Sequence, residues 1–149
     1  MLLACIPTQA SAANLPPGTS KAVVFLLDAS NSMNTNDRER LAKDSIAQLI
    51  YSLPSNYYVG FAAYNTSVVS SVGMQDSGDR EPVMDAVDAV TYIGYTNAGA
   101  GLTTAMELLD TVSASEKTVV ILSDGEIIMS SDDATAESSL QFQNAVEAA

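Results

Sequence analysis

In Lys21-Ala22-Val23-Val24-Phe25-Leu26-Leu27-Asp28-Ala29-Ser30-Asn31-Ser32 the residues 22–27 are an unbroken apolar run, closed by an aspartate and followed by two spaced hydroxyls. A run this short and this apolar reads as a β-strand buried on both faces, the environment of a parallel sheet. Asp28 ends it. Asp28, Ser30 and Ser32 then occupy alternate positions of the turn that follows, and their carboxylate and hydroxyl oxygens are hard donors suited to a small, hard cation held at about 2.1 Å. Taken alone, Asp-x-Ser-x-Ser is also what ordinary Asx turns and helix caps use. As a strand-end residue, Asp28 is expected outside the core.

Residues 118–123 (Thr-Val-Val-Ile-Leu-Ser) repeat the apolar pattern and end in Asp124-Gly125. Between the two runs, Asn36-Asp37-Arg38-Glu39 offers a helix cap with Glu three residues on. Ala42, Ile46, Leu49, Ile50 and Leu53 follow at helical spacing until Pro54. Residues 58–64 and 67–72 are β-prone and separated by Asn65-Thr66, which predicts an antiparallel hairpin. Tyr57, Tyr58 and Tyr64 are expected in or beside it. Pro82 marks a helix start ahead of Val83, Val87 and Val90, and Leu102, Ala105, Met106 and Leu109 form a second helical stripe. Phe142, Ala145, Val146 and Ala149 open a last helix.

This order predicts an α/β fold: a doubly wound, mostly parallel, Rossmann-like sheet with one antiparallel edge strand and helices on both faces. Ligands of such sheets sit beyond the carboxyl ends of the strands, where Asp28 and Asp124 would meet at one rim.

Composition removes whole classes of chemistry. The 149 residues contain no His and a single Cys, Cys5. His-based acid–base catalysis, Ser-His-Asp triads, His-ligated zinc, an intrachain disulfide and a Cys-x-x-Cys redox pair are therefore closed to this chain acting alone. The formal net charge of -12 repels nucleic acid and anionic lipid, so no nucleic-acid partner is expected. No apolar run approaches the roughly 20 residues of a membrane span.

Thr96 adds a third element, because Gly94-Tyr95-Thr96-Asn97-Ala98-Gly99-Ala100-Gly101 is a Gly-rich turn opening a helix. Asp-x-Ser-x-Ser after a first strand, Thr at a later helix start and Asp-Gly after another strand, in that order, closely resemble the metal-ion-dependent adhesion site of von Willebrand factor type A domains. The resemblance runs from about Lys21 to the chain end. It implies that Asp28, Ser30 and Ser32 are first-loop ligands, Thr96 the second-loop ligand and Asp124 the third-loop carboxylate, often bound through water. It further implies a magnesium or manganese ion with one position left for a Glu or Asp of a protein partner, in an adhesion or assembly module without catalysis. Family domains continue for at least one more strand and helix, so residues 21–149 are expected to be a domain lacking its C-terminal strand and helix. In that arrangement residues 118–123 would form an uncovered, aggregation-prone edge.

Two other functions compete. A magnesium-dependent phosphohydrolase also places Asp at strand ends, but it needs a second acid and a nearby Lys. Lys21 and Lys117 lie at the far ends of their strands, leaving Arg38 as the cation within reach. A metal-free scaffold whose Asp and Ser residues only cap turns is the other. Residues 1–20 read as a signal-peptide remnant or linker, with Ala10-Ser11-Ala12 as a cleavage site and Leu2-Leu3-Ala4-Cys5 resembling a lipoprotein lipobox. An extracytoplasmic, secreted or surface-attached location follows as an expectation. Asp132 and Asp133 read as a solvated acidic loop, and Ile127-Ile128-Met129 as core or as a partner contact at the rim.

Overall fold

The computed structural model describes residues 20–76, 78–125 and 127–148. Its strands are β1 (Lys21–Asp28), β2 (Tyr57–Tyr64), β3 (Val68–Gln75) and β4 (Glu116–Leu122). The helices are α1 (Met33–Asn36), α2 (Leu41–Ser52), α3 (Glu81–Ala89), α4 (Ala98–Asp110) and α5 (Asp132–Ala148). Residues 1–19, with Cys5 and the cleavage motif, lie outside the described residues. Ser20 is buried, and its carbonyl accepts hydrogen bonds from the amide and hydroxyl of Ser115 at 2.8 and 2.9 Å.

The strand order is β3-β2-β1-β4. β1 is parallel to β2 and β4, and β2 is antiparallel to β3, so the sheet is mostly parallel with one antiparallel edge. The central place of β1 explains its composition, because both its faces are covered. Val23, Phe25 and Leu27 point to a core shared with Ile46 and Ile50 of α2 and Val83 and Val87 of α3. Ala22, Val24 and Leu26 point to the other core, shared with Leu102, Ala105 and Leu109 of α4. Each large side chain so buried contributes ~1.5–3 kcal/mol.

Helix starts depart from the sequence reading in two places. The cap expected at Asn36–Glu39 instead closes the single turn of α1, where the Asp37 amide donates to the Met33 carbonyl at 2.8 Å. The chain then swings through Arg40 in the left-handed region (φ 59°) before α2 begins at Leu41. Asp37 still serves that helix from a distance, because its carboxylate accepts the Ala42 amide at 3.3 Å. The second departure is α5, which starts ten residues before Phe142. Asp132 and Asp133 are not a loop but its first turn, where the helix dipole favours carboxylates. An apolar stripe could not reveal this half of α5, because its contact with α4 is made by small and polar groups. Ser138 accepts the Gly99 amide and donates to Asn97 Oδ1 at 2.9 Å, and a Cβ on Gly99 would lie 2.5 Å from the Ser138 carbonyl oxygen.

Helices α2 and α3 are clamped at both ends by each other's cations. Arg80, at the start of α3, donates to the Ile50, Leu53 and Pro54 carbonyls at the end of α2 at 2.7, 2.9 and 2.8 Å. Lys43, in the first turn of α2, donates to the Asp88 and Val90 carbonyls at the end of α3. Orphan carbonyls of both helix ends are thereby satisfied by positive charge.

Candidate metal centre

Register places the first two carboxylates. Leu27 of β1 lies opposite Leu122, the last residue of β4, so Asp28 and the Ser123-Asp124 pair emerge at the same rim. Asp28 is fully buried, contrary to its expected place outside the core, because β1 is central and β2 ends beside it with Tyr64. Its Oδ1 accepts the Ser30 amide and its Oδ2 accepts the Ser123 hydroxyl, both at 2.8 Å. Ser30 is buried as well, and its hydroxyl lies 3.0 Å from that of Ser32, which is half-buried.

Burial raises the Asp28 pKa above the ordinary 3.8, and the charge of Asp124 adds to the rise. Hydrogen bonds from Ser30 and Ser123 oppose it. The ionised carboxylate is thus held in a desolvated pocket that favours added positive charge, whether a proton or a cation.

The segment carrying Thr96 is fastened to the first loop by its backbone. The Ile93 amide donates to the Ala29 carbonyl at 2.7 Å, and the Asn31 amide donates to the Gly94 carbonyl at 3.0 Å. Gly94 has φ +89°, and a Cβ there would meet Thr66 Oγ1 at 2.8 Å, so only glycine fits. Thr96 is buried and its amide donates to the Ile128 carbonyl at 2.6 Å. Asn97 then caps α4, its Oδ1 accepting the Ala100 amide.

Asp124 stands in the third loop, half-buried, with Oδ2 accepting from Asn36 Nδ2 at 2.8 Å. The five residues singled out by sequence therefore lie on three adjoining loops at one rim. Asp28, Ser30 and Ser32 are linked directly, Asp124 adjoins them through Ser123 and Asn36, and Thr96 is brought alongside by its backbone.

Sequence reading missed three neighbours. Ser123 could have been found from the strand register, since it directly follows Leu122, the β4 partner of Leu27. Asn36 carries no local signal, because its contact with Asp124 depends on α1 folding back over the rim. Tyr64 is buried beside Asp28, and burial, followed by the Asp28 charge, pushes its hydroxyl well above the usual range. Its ring lies against α4 at Gly101, where a Cβ would collide with it.

The donors present are carboxylate and hydroxyl oxygens, a set that fits magnesium or manganese. Among the described residues no group of three or more His, Cys, Asp or Glu gathers where it could hold a metal ion. Lys21 is paired with Glu116 at 2.6 Å and Lys117 with Asp110 at 3.3 Å, both at the opposite end of the strands.

The family model described as von Willebrand factor type A domain matches residues 22–146. A von Willebrand factor type A structure from Catenulispora acidiphila superposes with TM-score 0.68 at 21% identity, covering 83% of this chain and 30% of that one. The vWF domain of the type V pili tip protein Mfa5 from Porphyromonas gingivalis gives TM-score 0.62 at 19% identity, covering 74% of this chain and 39% of that one. Proximal thread matrix protein 1 from the mussel byssus, with a zinc-occupied MIDAS motif, gives TM-score 0.60 at 24% identity, covering 74% and 30%. At these identities the likeness carries the fold. The chain spans well under half the length of these three.

Proposed function

This chain belongs to the von Willebrand factor type A domain family, and from that premise we propose that it is a metal-dependent protein-binding module of an adhesion or assembly protein. Asp28, Ser30, Ser32, Thr96 and Asp124 would hold one magnesium or manganese ion. When bound, that ion would supply a Lewis-acidic position open to a Glu or Asp carboxylate of the partner. The chain's own residues prepare the position. Ser123 and the Ser30 amide hold the Asp28 carboxylate in one orientation, Asn36 holds Asp124, and the backbone bonds of residues 93–96 keep Thr96 on the rim.

The observation that carries the reading is the buried, doubly hydrogen-bonded Asp28 with a second carboxylate beside it. Turn capping alone does not call for a desolvated carboxylate, whose burial is costly unless positive charge is near. The domain's solved relatives include a pilus-tip protein and a matrix protein, which supports adhesion or assembly over catalysis and an extracytoplasmic or surface-attached location. Among the described residues no helix is long and apolar enough to cross a membrane.

Calorimetric titration with Mg2+, Mn2+ and Zn2+ tests the assignment. One site is expected, and the isosteric Asp28→Asn should abolish it while leaving the far-UV spectrum intact. Equal affinity in both proteins would falsify the site.

A further inference from the structure

The second loop of the metal centre holds large apolar side chains in water. Tyr92 and Thr96 are buried, whereas Ile93 between them is 62% exposed and Tyr95 46% exposed. This is not slackness of the loop, because residues 92, 93, 95 and 96 are each anchored by a hydrogen bond. Tyr92 donates its hydroxyl to Asp37 Oδ2 at 2.7 Å under the Arg40 guanidinium, which stacks 4.1 Å from the ring centroid. The Ile93 amide is bound by Ala29, the Tyr95 amide by Thr66 Oγ1 at 3.1 Å and the Thr96 amide by Ile128.

Ile128, whose carbonyl takes the Thr96 amide, is itself 47% exposed. On the other flank Ile93 shares a cavity of about 230 Å³ with Val69, which is 48% exposed on β3. The charge pattern is equally uneven. In a chain of net charge -12, no Asp, Glu, Lys or Arg occurs from residue 45 to 75 or from 89 to 106, the segments that supply this flank.

An acidic protein thus leaves one side of its carboxylate-accepting site uncharged and apolar. We propose that Ile93 and Tyr95, with Val69 beside them, form a selectivity surface that receives an apolar side chain next to the partner's acidic residue. This rests on the metal-dependent reading of the site and narrows it. The partner presents its Glu or Asp within an apolar stretch of chain, and a polar or acidic neighbourhood is rejected. Anchoring of the loop backbone matters here, because a segment already held in place loses little freedom on binding.

Two synthetic peptides decide this, Gly-Leu-Glu-Leu-Gly and Gly-Ser-Glu-Ser-Gly with blocked ends, titrated into the magnesium-loaded protein and followed by NMR shift perturbation. The leucine-flanked peptide should bind roughly tenfold more tightly, the effect of covering one aliphatic side chain. The double variant Ile93→Ser, Tyr95→Ser should erase that preference while magnesium affinity and the serine-flanked peptide's affinity stay unchanged. Equal binding of the two peptides, or a preference that survives in the double variant, overturns the surface and leaves the metal site standing. Absence of magnesium binding, or undiminished binding after Glu→Gln in the peptide, overturns the underlying reading instead. Self-association of the parent protein that vanishes in the double variant would assign the patch to a second copy and overturn the proposal.

Discussion

Asp28 keeps a carboxylate where water does not reach, and its raised pKa makes stability depend on pH in a definite direction. The folded state binds this proton more tightly than the unfolded state, so its contribution to stability rises as pH falls through the folded pKa and levels off below the ordinary 3.8. In chelator, the difference in melting temperature between Asp28→Asn and the parent should therefore be largest near neutral pH and shrink on acidification. Adding magnesium should reverse the order at neutral pH, stabilising the parent by ~2.7 kcal/mol at roughly a hundredfold excess over Kd and leaving the variant unmoved. Thermal unfolding of both proteins across pH, with and without the ion, checks both signs. Ser123→Ala removes the donor to Asp28 Oδ2 and should cost about 1.5–3 kcal/mol. Asp28 and Asp124 were legible because a carboxylate closing an apolar run stands out, whereas Ser30, Ser32 and Thr96 were singled out only by the order of the three segments and the resemblance it carries. Ser123 and Asn36 were not, since a hydroxyl or amide supporting another residue's carboxylate has no fixed spacing to it.

Elements that bury an apolar stripe were the ones periodicity could find: β1, the hairpin, α3 behind Pro82 and the Leu102–Leu109 face of α4. The first half of α5 was invisible because its contact with α4 is made by Gly99, Ser138 and Asn97. Equally silent was the pairing of α2 with α3 through Arg80 and Lys43, two surface-type residues whose partners are backbone carbonyls. Arg80→Ala strands three carbonyls at the end of α2 and should lower stability by about 1–3 kcal/mol. Lys43→Met acts at the other end of the pair, and the two losses should add to within about 0.5 kcal/mol. Urea denaturation of both single variants and the double variant measures this. Gly101→Ala tests the opposite face: alanine favours a helix by ~1 kcal/mol, yet its methyl group would strike the Tyr64 ring, and a net loss is expected.

For the whole molecule, the order β3-β2-β1-β4 leaves β4 with β1 as its neighbour and its other edge open among the described strands. Residues 118–123 carry no charge or Pro, and Ile121 is 40% exposed. Beside them runs a groove of about 410 Å³ walled by Leu102, Met106, Val119, Ile121 and Val146. Such an edge pairs readily with other chains. The 149-residue chain alone is expected to self-associate with rising concentration, and Ile121→Lys should reduce this by placing a charge on the edge. Light scattering of both proteins over a concentration series decides it, and a monodisperse parent would show that the edge is protected.

Legible in the sequence were the four strands, the helix faces that carry an apolar stripe, and the carboxylates that follow the apolar runs of β1 and β4. Those properties are written into each segment's own side chains, in the period of its hydrophobic residues and the polar residue that stops it. Tertiary structure alone decided how deeply Asp28 is buried, which groups hold it and Asp124, and that Ile93 and Tyr95 face outward beside them. Each of these depends on β1 lying between β2 and β4 and on loops from distant parts of the chain being fastened to one another. Such contacts arise from long-range packing and backbone hydrogen bonds, which leave no period in the residues that make them.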